Sequence, residues 1–252
     1  MGNQLQCLIF DVDGTLANTE RDGHRVAFNR AFREAELDWH WSVEFYGKLL
    51  TVSGGKERIQ YFLQQYLPDF KPGKDQADLV AYLHKLKTKH YLELLRSGTI
   101  QLRPGAKRLI DEARTANITL AIATTTSLPN VIALLEKYLD LDWFEVIAAG
   151  DIVPFKKPAP DIYHYVVNRL GLASENFLVI EDSDNGLESA TAAGLTTIVT
   201  VNNYTEQQDF TQAALVVSDL GEPDMPCRVI QGSLAAEYID LASLRSLNRL
   251  DI

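Results

Sequence analysis

Residues 5–15 have the sequence LQCLIFDVDGT, in which a short apolar run ends in two aspartates and a glycine. The apolar part is too short for a buried helix and has the aliphatic composition of a strand covered on both faces. Similar runs occur at 118–124, 177–180, 196–201 and 215–217. Helical patterns separate most of them, at 106–115, 129–139 and 161–170. Alternation of this kind predicts an α/β fold with a doubly wound parallel sheet.

A stretch of helical periodicity interrupts this alternation between residues 19 and 97. It contains two apolar stripes, each with the spacing of one helix face. The stripes are Ala27, Phe28, Ala31, Phe32 and Ala35, and Ile59, Phe62, Leu63, Tyr66 and Leu67. We predict a core formed by 1–18 and 98–222 and a helical cap at 19–97, with hinges at 17–19 and 97–103. A C-terminal extension, 223–252, is expected to pack on the core through a short helix around 238–247.

The charge balance of the chain limits its partners. With 34 acidic and 24 basic residues, the chain has a formal net charge of -10, which repels nucleic acid and anionic membranes, so we expect neither as a partner. An anionic substrate would need a site that concentrates positive charge or a metal ion. The first strand begins close to the N-terminus, and the two cysteines, Cys7 and Cys227, are far apart. These features predict a soluble cytoplasmic protein without a leader peptide or disulfide framework.

Acidic side chains follow two of the predicted strands. Asp11 and Asp13 leave the first strand one residue apart, and Glu181 and Asp182 follow the strand at 177–180. Because ligands bind beyond the carboxyl ends of parallel strands, these side chains are candidates for a shared site. Neighbouring carboxylates need a cation or a shared proton, and Mg²⁺ is bound by such oxygens. The alternative for the first pair is an Asp-Gly turn in which the side chains cap the backbone.

Hydroxyl and ammonium groups follow the other strands. Thr124, Thr125 and Thr126 end the second strand and lead into a helix, an arrangement that suits a phosphate oxygen, although ordinary helix capping would also explain it. Lys156 and Lys157 lie in a proline-rich loop, where one of them is expected to be solvated. Together, the strand ends supply metal ligands, a nucleophile, an acid/base and a phosphate cradle.

The predicted cap contains a second candidate anion site. Gly54 and Gly55 precede a predicted helix that carries Lys56 and Arg58, and amides at a helix start favour anions. A glycine hinge followed by solvated charges is the alternative. Past the first hinge, His24 can reach the cleft as a substrate ligand or can serve as a core or capping residue.

Four segments of the core resemble the motifs of the haloacid dehalogenase superfamily: DVDGT at 11–15, ATTTS at 123–127, KKPAPDIY at 156–163 and VIEDSDNGLESATAAG at 179–194. The cap segments NTERDGHRVAFNRAF, at 18–32, and TVSGGKERI, at 51–59, are similar to the β-phosphoglucomutase-like branch, and most of all to CbbY-like sugar bisphosphate phosphatases. The resemblance implies a Rossmann-like core with an inserted helical cap. In this chain His24 follows Glu20 by four residues, one more than in the branch pattern.

The resemblance also implies roles for the core residues. Asp11 would be the nucleophile and Asp13 the general acid/base, while Thr124 and Lys157 would bind the transferring phosphoryl group. Mg²⁺ would be held by the Asp11 carboxylate, the Asp13 carbonyl and Asp182. Glu181 would be a further ligand or would lie just behind the ligands.

The implied substrate is a small sugar phosphate. We expect xylulose 1,5-bisphosphate to be hydrolysed to xylulose 5-phosphate, with a β-phosphoglucomutase-like phosphomutase as the alternative activity. A monomer or weak oligomer is expected. The predicted substrate-binding residues are Glu20, His24, Gly54, Gly55, Lys56, Arg58, Thr125 and Thr126.

Overall fold

The computed structural model describes residues 5–73 and 75–248, which contain a seven-stranded sheet. The strands are β1 (Cys7–Phe10), β2 (Thr119–Thr124), β3 (Phe144–Ala149), β4 (Phe177–Glu181), β5 (Thr196–Thr200), β6 (Leu215–Val217) and β7 (Val229–Gln231). Their order is β3-β2-β1-β4-β5-β6-β7, and every neighbouring pair is parallel except β6 and β7. The strand order reverses beside β1, between β2 and β4, where an open α/β sheet binds its ligands.

Helices cover both faces of this sheet. The helices of the core are α5 (Ala106–Thr115), α6 (Leu128–Tyr138), α7 (Asp161–Leu170), α8 (Asp184–Ala192) and α9 (Leu241–Leu247). Side chains alternate along β1, so Leu8 and Phe10 pack in the cluster that contains α5 and α6. Cys7 and Ile9 point to the other face and pack with α7 and α8. The predicted doubly wound core is therefore confirmed.

The segment between β1 and α5 is helical, as predicted. After a π-helical turn at Glu20–His24, it contains α1 (Arg25–Glu34), α2 (Val43–Leu49), α3 (Gly55–Tyr66) and α4 (Gln76–Arg96). The two predicted stripes lie on α1 and α3 and pack around an aromatic cluster with Trp41 and Tyr46 at its centre. This cluster gives the cap a hydrophobic core of its own.

Helix α4 contributes to both hydrophobic cores. Val80 and Leu83 pack in the aromatic cluster of the cap, whereas Tyr91, Leu94 and Leu95 pack in the cluster beneath the sheet. The predicted boundary between cap and core at residue 97 stays a prediction. Within α4 the earlier residues pack in the cap and the later ones pack in the core. In the described part of the chain no helix, α4 included, combines the length and apolar character needed to cross a bilayer.

Two strands differ from the sequence-based prediction. The pattern does not predict β3, whose sequence FEVIAA includes an exposed Glu145. It also does not predict β7, which adds an antiparallel strand to a sheet expected to be wholly parallel. Strand β7 belongs to the C-terminal extension, which continues to α9, and α9 packs in the same cluster as α5. The extension therefore both lengthens the sheet and covers one of its faces.

Candidate active site

Three buried carboxylates meet at the carboxyl ends of β1 and β4. Asp11 directly follows β1, Glu181 is the last residue of β4, and Asp182 follows it. Because β1 and β4 are parallel neighbours with Phe10 opposite Ile180, the residues after them converge. One oxygen from each carboxylate lies within 4.8 Å of the others. The folded chain thus brings together acids that are about 170 residues apart in sequence.

Lys157 is the cation that contacts this cluster. Its Nζ lies 2.8 Å from Asp11 Oδ1 and 2.5 Å from Glu181 Oε1, and it also donates to the carbonyl of Ala123 at 2.8 Å. The side chain is buried, and the charges of Asp11 and Glu181 outweigh desolvation and hold the pKa of Lys157 above its usual value. Lys157 therefore keeps its charge at the base of the site.

One ammonium does not balance three buried carboxylates. Burial raises the pKa of Asp11 to about 8, with the charge of Lys157 opposing the rise and that of Glu181 adding to it. Burial and the charges of Asp11 and Glu181 also raise the pKa of Asp182 well above its usual value. A divalent cation with hard oxygen ligands would relieve this repulsion, so the residues fit Mg²⁺.

The carboxylate of Glu181 already accepts hydrogen bonds from other groups of the protein. Its Oε1 accepts hydrogen bonds from Lys157 and, at 2.5 Å, from the Tyr163 hydroxyl, and its Oε2 accepts one from the backbone N–H of Asp182. Gly186 lies directly against it, since a Cβ there would be 2.1 Å from the Glu181 carboxyl carbon. This environment favours the alternative in which Glu181 lies behind the metal ligands.

Asp13 has a different environment from Asp11. Thr19 Oγ1 donates to Asp13 Oδ1 at 2.5 Å, and His24 Nε2 lies 2.8 Å from the same oxygen. Burial alone would raise the pKa of Asp13, but His24 and Thr19 outweigh it and hold the pKa below its usual range. The pKa values of the two aspartates are therefore displaced in opposite directions in the metal-free protein.

His24 contacts Asp13 rather than the cavity. The imidazole is buried and stacks on the ring of Tyr91, with 4.2 Å between centroids. The π-helical turn Glu20–His24 accommodates the extra residue in this loop, because such a turn holds one residue more than an α-helical turn. The structure places His24 behind Asp13, which favours the core alternative, and a substrate contact of His24 stays a prediction.

The residues around the acidic cluster line a cavity between core and cap. Thr124 and Thr125 form part of its wall beside Lys157, as the phosphate-cradle prediction requires. The Thr124 hydroxyl also accepts a weak 3.3 Å hydrogen bond from the Thr126 N–H. Thr126 itself faces a neighbouring cavity, which shares Thr125 with the first.

On the cap side of the cavity, Glu20 and Arg58 face the acidic cluster. The Tyr46 hydroxyl donates to Glu20, and Arg58 Nη1 donates to the same hydroxyl at 2.9 Å. The Arg58 guanidinium is buried and also donates to the carbonyls of Leu49 and Val52. Tyr46, which packs in the aromatic cluster of the cap, also orients Glu20.

The residues of the predicted anion site in the cap do not line one cavity, because Arg58 faces the acidic cluster and Lys56 does not. Gly55 and Lys56 line the neighbouring cavity, and Lys56 pairs with Asp151 of the core at 2.5 Å. Gly54 packs on Glu57 and Lys156. The expectation that one loop lysine is solvated is wrong, because Lys156 forms ion pairs with both Glu57 and Asp151 and is largely shielded. These pairs join α3 to the core.

Several residues that face the site were not predicted from the sequence. Asn202 Nδ2 donates to Asp182 Oδ2 at 2.6 Å, and Tyr204 packs its ring against Tyr46, 6.1 Å between centroids. Asn185 donates to the carbonyl of Thr51 in the cap. Asn202 follows the carboxyl end of β5, so the rule that found the other strand ends would have found it too.

The model of the haloacid dehalogenase-like hydrolase family matches residues 5–194, a span that includes Asp11, Lys157 and Asp182. The chain belongs to this family. The plasmid CbbY protein of Cupriavidus necator is 45% identical to this chain over 245 residues. The alignment covers 96% of this chain and 96% of the CbbY protein. Family membership confirms the expected resemblance and the expected enzyme class, a hydrolase.

Two crystal structures of CbbY from Rhodobacter sphaeroides share the fold, each with a TM-score of 0.79 over 86% of this chain and 95% of theirs. One, 44% identical, is in complex with phosphate. The other, a mutant 43% identical, is in complex with xylulose 1,5-bisphosphate. The shared fold confirms the predicted fold class.

Proposed function

We propose that the protein is a magnesium-dependent phosphatase that hydrolyses xylulose 1,5-bisphosphate to xylulose 5-phosphate through an aspartyl-phosphate. The observation that carries this proposal is the pairing of Asp11 with Lys157 at the base of the cavity, 2.8 Å apart. A carboxylate nucleophile beside a cation that can bind phosphoryl oxygens suits phosphoryl transfer to aspartate. The sugar is inferred from the CbbY relatives, one of which was crystallised with this bisphosphate.

In the first step, an Asp11 oxygen attacks phosphorus and the bond between phosphorus and the sugar oxygen breaks. Asp13 gives its proton to the departing sugar oxygen, then removes a proton from the water that attacks the aspartyl-phosphate, which frees inorganic phosphate and restores Asp11. Such acid–base assistance contributes about 10²–10⁴-fold. Asp13 must first take up a proton, and a substrate phosphate beside it would favour this by raising its pKa.

Lys157 and Thr124 are proposed to bind the oxygens of the transferring group. Mg²⁺ is proposed to be held by the carboxylates of Asp11 and Asp182 and the backbone carbonyl of Asp13. The ion would supply positive charge to the phosphoryl oxygens. Glu181, with its protein donors, would keep Lys157 in place instead of binding the ion.

The cap residues are proposed to bind the rest of the sugar. Glu20, held by Tyr46, faces the cavity and can accept hydrogen bonds from sugar hydroxyls. Arg58 faces the same cavity and is the cap residue that we assign to the second phosphate. Gly55, Lys56, Thr125 and Thr126 border the neighbouring cavity, so their contribution would be to a substrate group that extends beyond Thr125.

The proposal is tested by measuring phosphate release from xylulose 1,5-bisphosphate, xylulose 5-phosphate and hexose monophosphates, with and without Mg²⁺. We expect one phosphate per bisphosphate, only with Mg²⁺, and accumulation of xylulose 5-phosphate. Asp11→Asn should abolish turnover while leaving circular dichroism unchanged. A matched control is Asp142→Asn, at the opposite, amino end of β3.

Near-normal activity of Asp11→Asn would refute the nucleophile assignment. Transfer of the phosphoryl group to another sugar hydroxyl, without release of phosphate, would instead indicate a phosphomutase.

A further inference from the structure

A buried arginine lies beneath the acidic cluster, where the chain returns from the cap to the core. Arg103 is 7% exposed, and its guanidinium donates to four backbone carbonyls. These belong to Gly14, Thr200 (3.0 Å), Val201 (2.6 Å) and Ser218 (2.5 Å). Burying a cation costs free energy unless its donors are satisfied, so this arrangement needs a physical reason.

Two of the four carbonyls belong to segments that enclose Asp182. Gly14 has φ +89° and lies so close that a Cβ there would be 2.1 Å from Asp182 Oδ2. Val201 directly precedes Asn202, whose amide donates to the same oxygen at 2.6 Å. One guanidinium therefore holds both backbone segments that flank this carboxylate.

We propose that Arg103 is a positioning residue of the metal site. By holding the turn after Asp13 and the segment before Asn202, it keeps the Asp13 carbonyl and the Asp182 carboxylate pointed at one place. A guanidinium spreads its N–H groups over a planar fork, so it can hold four carbonyls from three segments in fixed directions, whereas an ammonium has three donors on a single atom. The inference rests on the proposed function for the nature of the ion.

The test compares Arg103→Lys with Arg108→Lys. Arg108 also uses its guanidinium to hold backbone carbonyls, those of Leu220, Gly221 and Ile239, but these lie in the C-terminal part of the chain and not around Asp182. Both substitutions keep the positive charge. Mg²⁺ binding is measured by titration calorimetry without substrate, and Tm is measured for both variants.

We expect Arg103→Lys to weaken Mg²⁺ binding by about 10–100-fold, the usual effect of losing a residue that orients metal ligands. Arg108→Lys should change it by less than about twofold, since its fork holds neither of the backbone segments that flank Asp182. Unchanged Mg²⁺ affinity in Arg103→Lys, with a lower Tm, would overturn the proposal and leave Arg103 a purely structural residue.

If Arg103→Lys does not fold, Asn202→Ala serves as the second variant, because it removes the side-chain amide that donates to Asp182. An unchanged Mg²⁺ affinity in Asn202→Ala would also overturn the proposal. Failure of the wild-type protein to bind Mg²⁺ would instead contradict the proposed metal dependence, which keeps the two claims separate.

Discussion

Mg²⁺ binding should depend strongly on pH, because the metal needs Asp11 ionised. The pKa of Asp11 is raised to about 8 in the metal-free protein, mainly by burial. A group with this pKa is about 90% protonated at pH 7, so the apparent affinity should be about tenfold below its plateau at pH 7 and about 100-fold below it at pH 6. Above pH 8 the affinity should level off.

The assay is titration calorimetry at pH 6, 7 and 8 in pairs of buffers with different ionisation enthalpies. At pH 7 about one proton should be released per Mg²⁺ bound, and more if Asp182, whose pKa is also raised, loses a proton in the same range. Asp11→Asn should bind more weakly and with a smaller pH dependence. An affinity that stays constant between pH 6 and pH 8 in the wild-type protein would refute the reasoning.

The pH dependence of protein stability gives an independent measure of the raised pKa of Asp11. The folded state keeps a proton on Asp11 that the unfolded chain releases above about pH 4. Asp11 should therefore make the free energy of unfolding of the metal-free protein decrease as pH rises from about 4 to about 8, and this one group contributes at most about 1.4 kcal/mol per unit. The raised pKa of Asp182 acts in the same direction. Saturating Mg²⁺ should consequently raise Tm more at pH 8 than at pH 6.

Two further substitutions test the walls of the cavity. Arg58→Ala should raise KM for a bisphosphate by about 10–100-fold, from loss of a buried charged donor, and should affect a monophosphate far less. The control is Arg33→Ala, which removes an exposed arginine of α1. Equal effects of Arg58→Ala on both substrates would contradict the assignment. Gly186→Ala should lower both kcat and Tm, because its methyl group would overlap Glu181, and the overpacking cost of about 1–3 kcal/mol exceeds the gain in helix propensity of about 0.5–1 kcal/mol. A higher Tm in this variant would show that Glu181 can move aside.

The strands buried on both faces are predictable from their apolar runs, whereas the edge strands are not. Strand β3 carries Glu145 and two alanines, and β7 exposes Val229 and Ile230, so neither has the continuous apolar character of a central strand. Antiparallel addition of β7 depends on where a long C-terminal segment folds back. Local sequence contains little information about that path.

The same distinction applies to the site. Asp11 and Asp182 are predictable because topology alone brings the ends of parallel strands together. Lys157 follows a strand that the pattern does not predict, and its role comes from the resemblance of its motif. Tyr163 and Tyr46 reach the site from helices, in stripes that look like ordinary core, and nothing in the periodicity distinguishes a tyrosine whose hydroxyl binds a carboxylate. The separation of Arg58 from Lys56 depends on how α3 is oriented against the core, which is set by packing between distant elements.

Helix α4 has a consequence for exchanging caps between relatives. Its first turns, with Val80 and Leu83, belong to the aromatic interior of the cap, and its last turns, with Tyr91 and Leu94, are embedded under the sheet. If a whole cap were exchanged at a junction after residue 97, the last turns of the donor's α4 would pack against the recipient's core. Those contacts would be mismatched even if the active-site residues were the same. Substrate preference can be transplanted cleanly only by a junction inside the helix, where recipient residues at 91, 94 and 95 are retained.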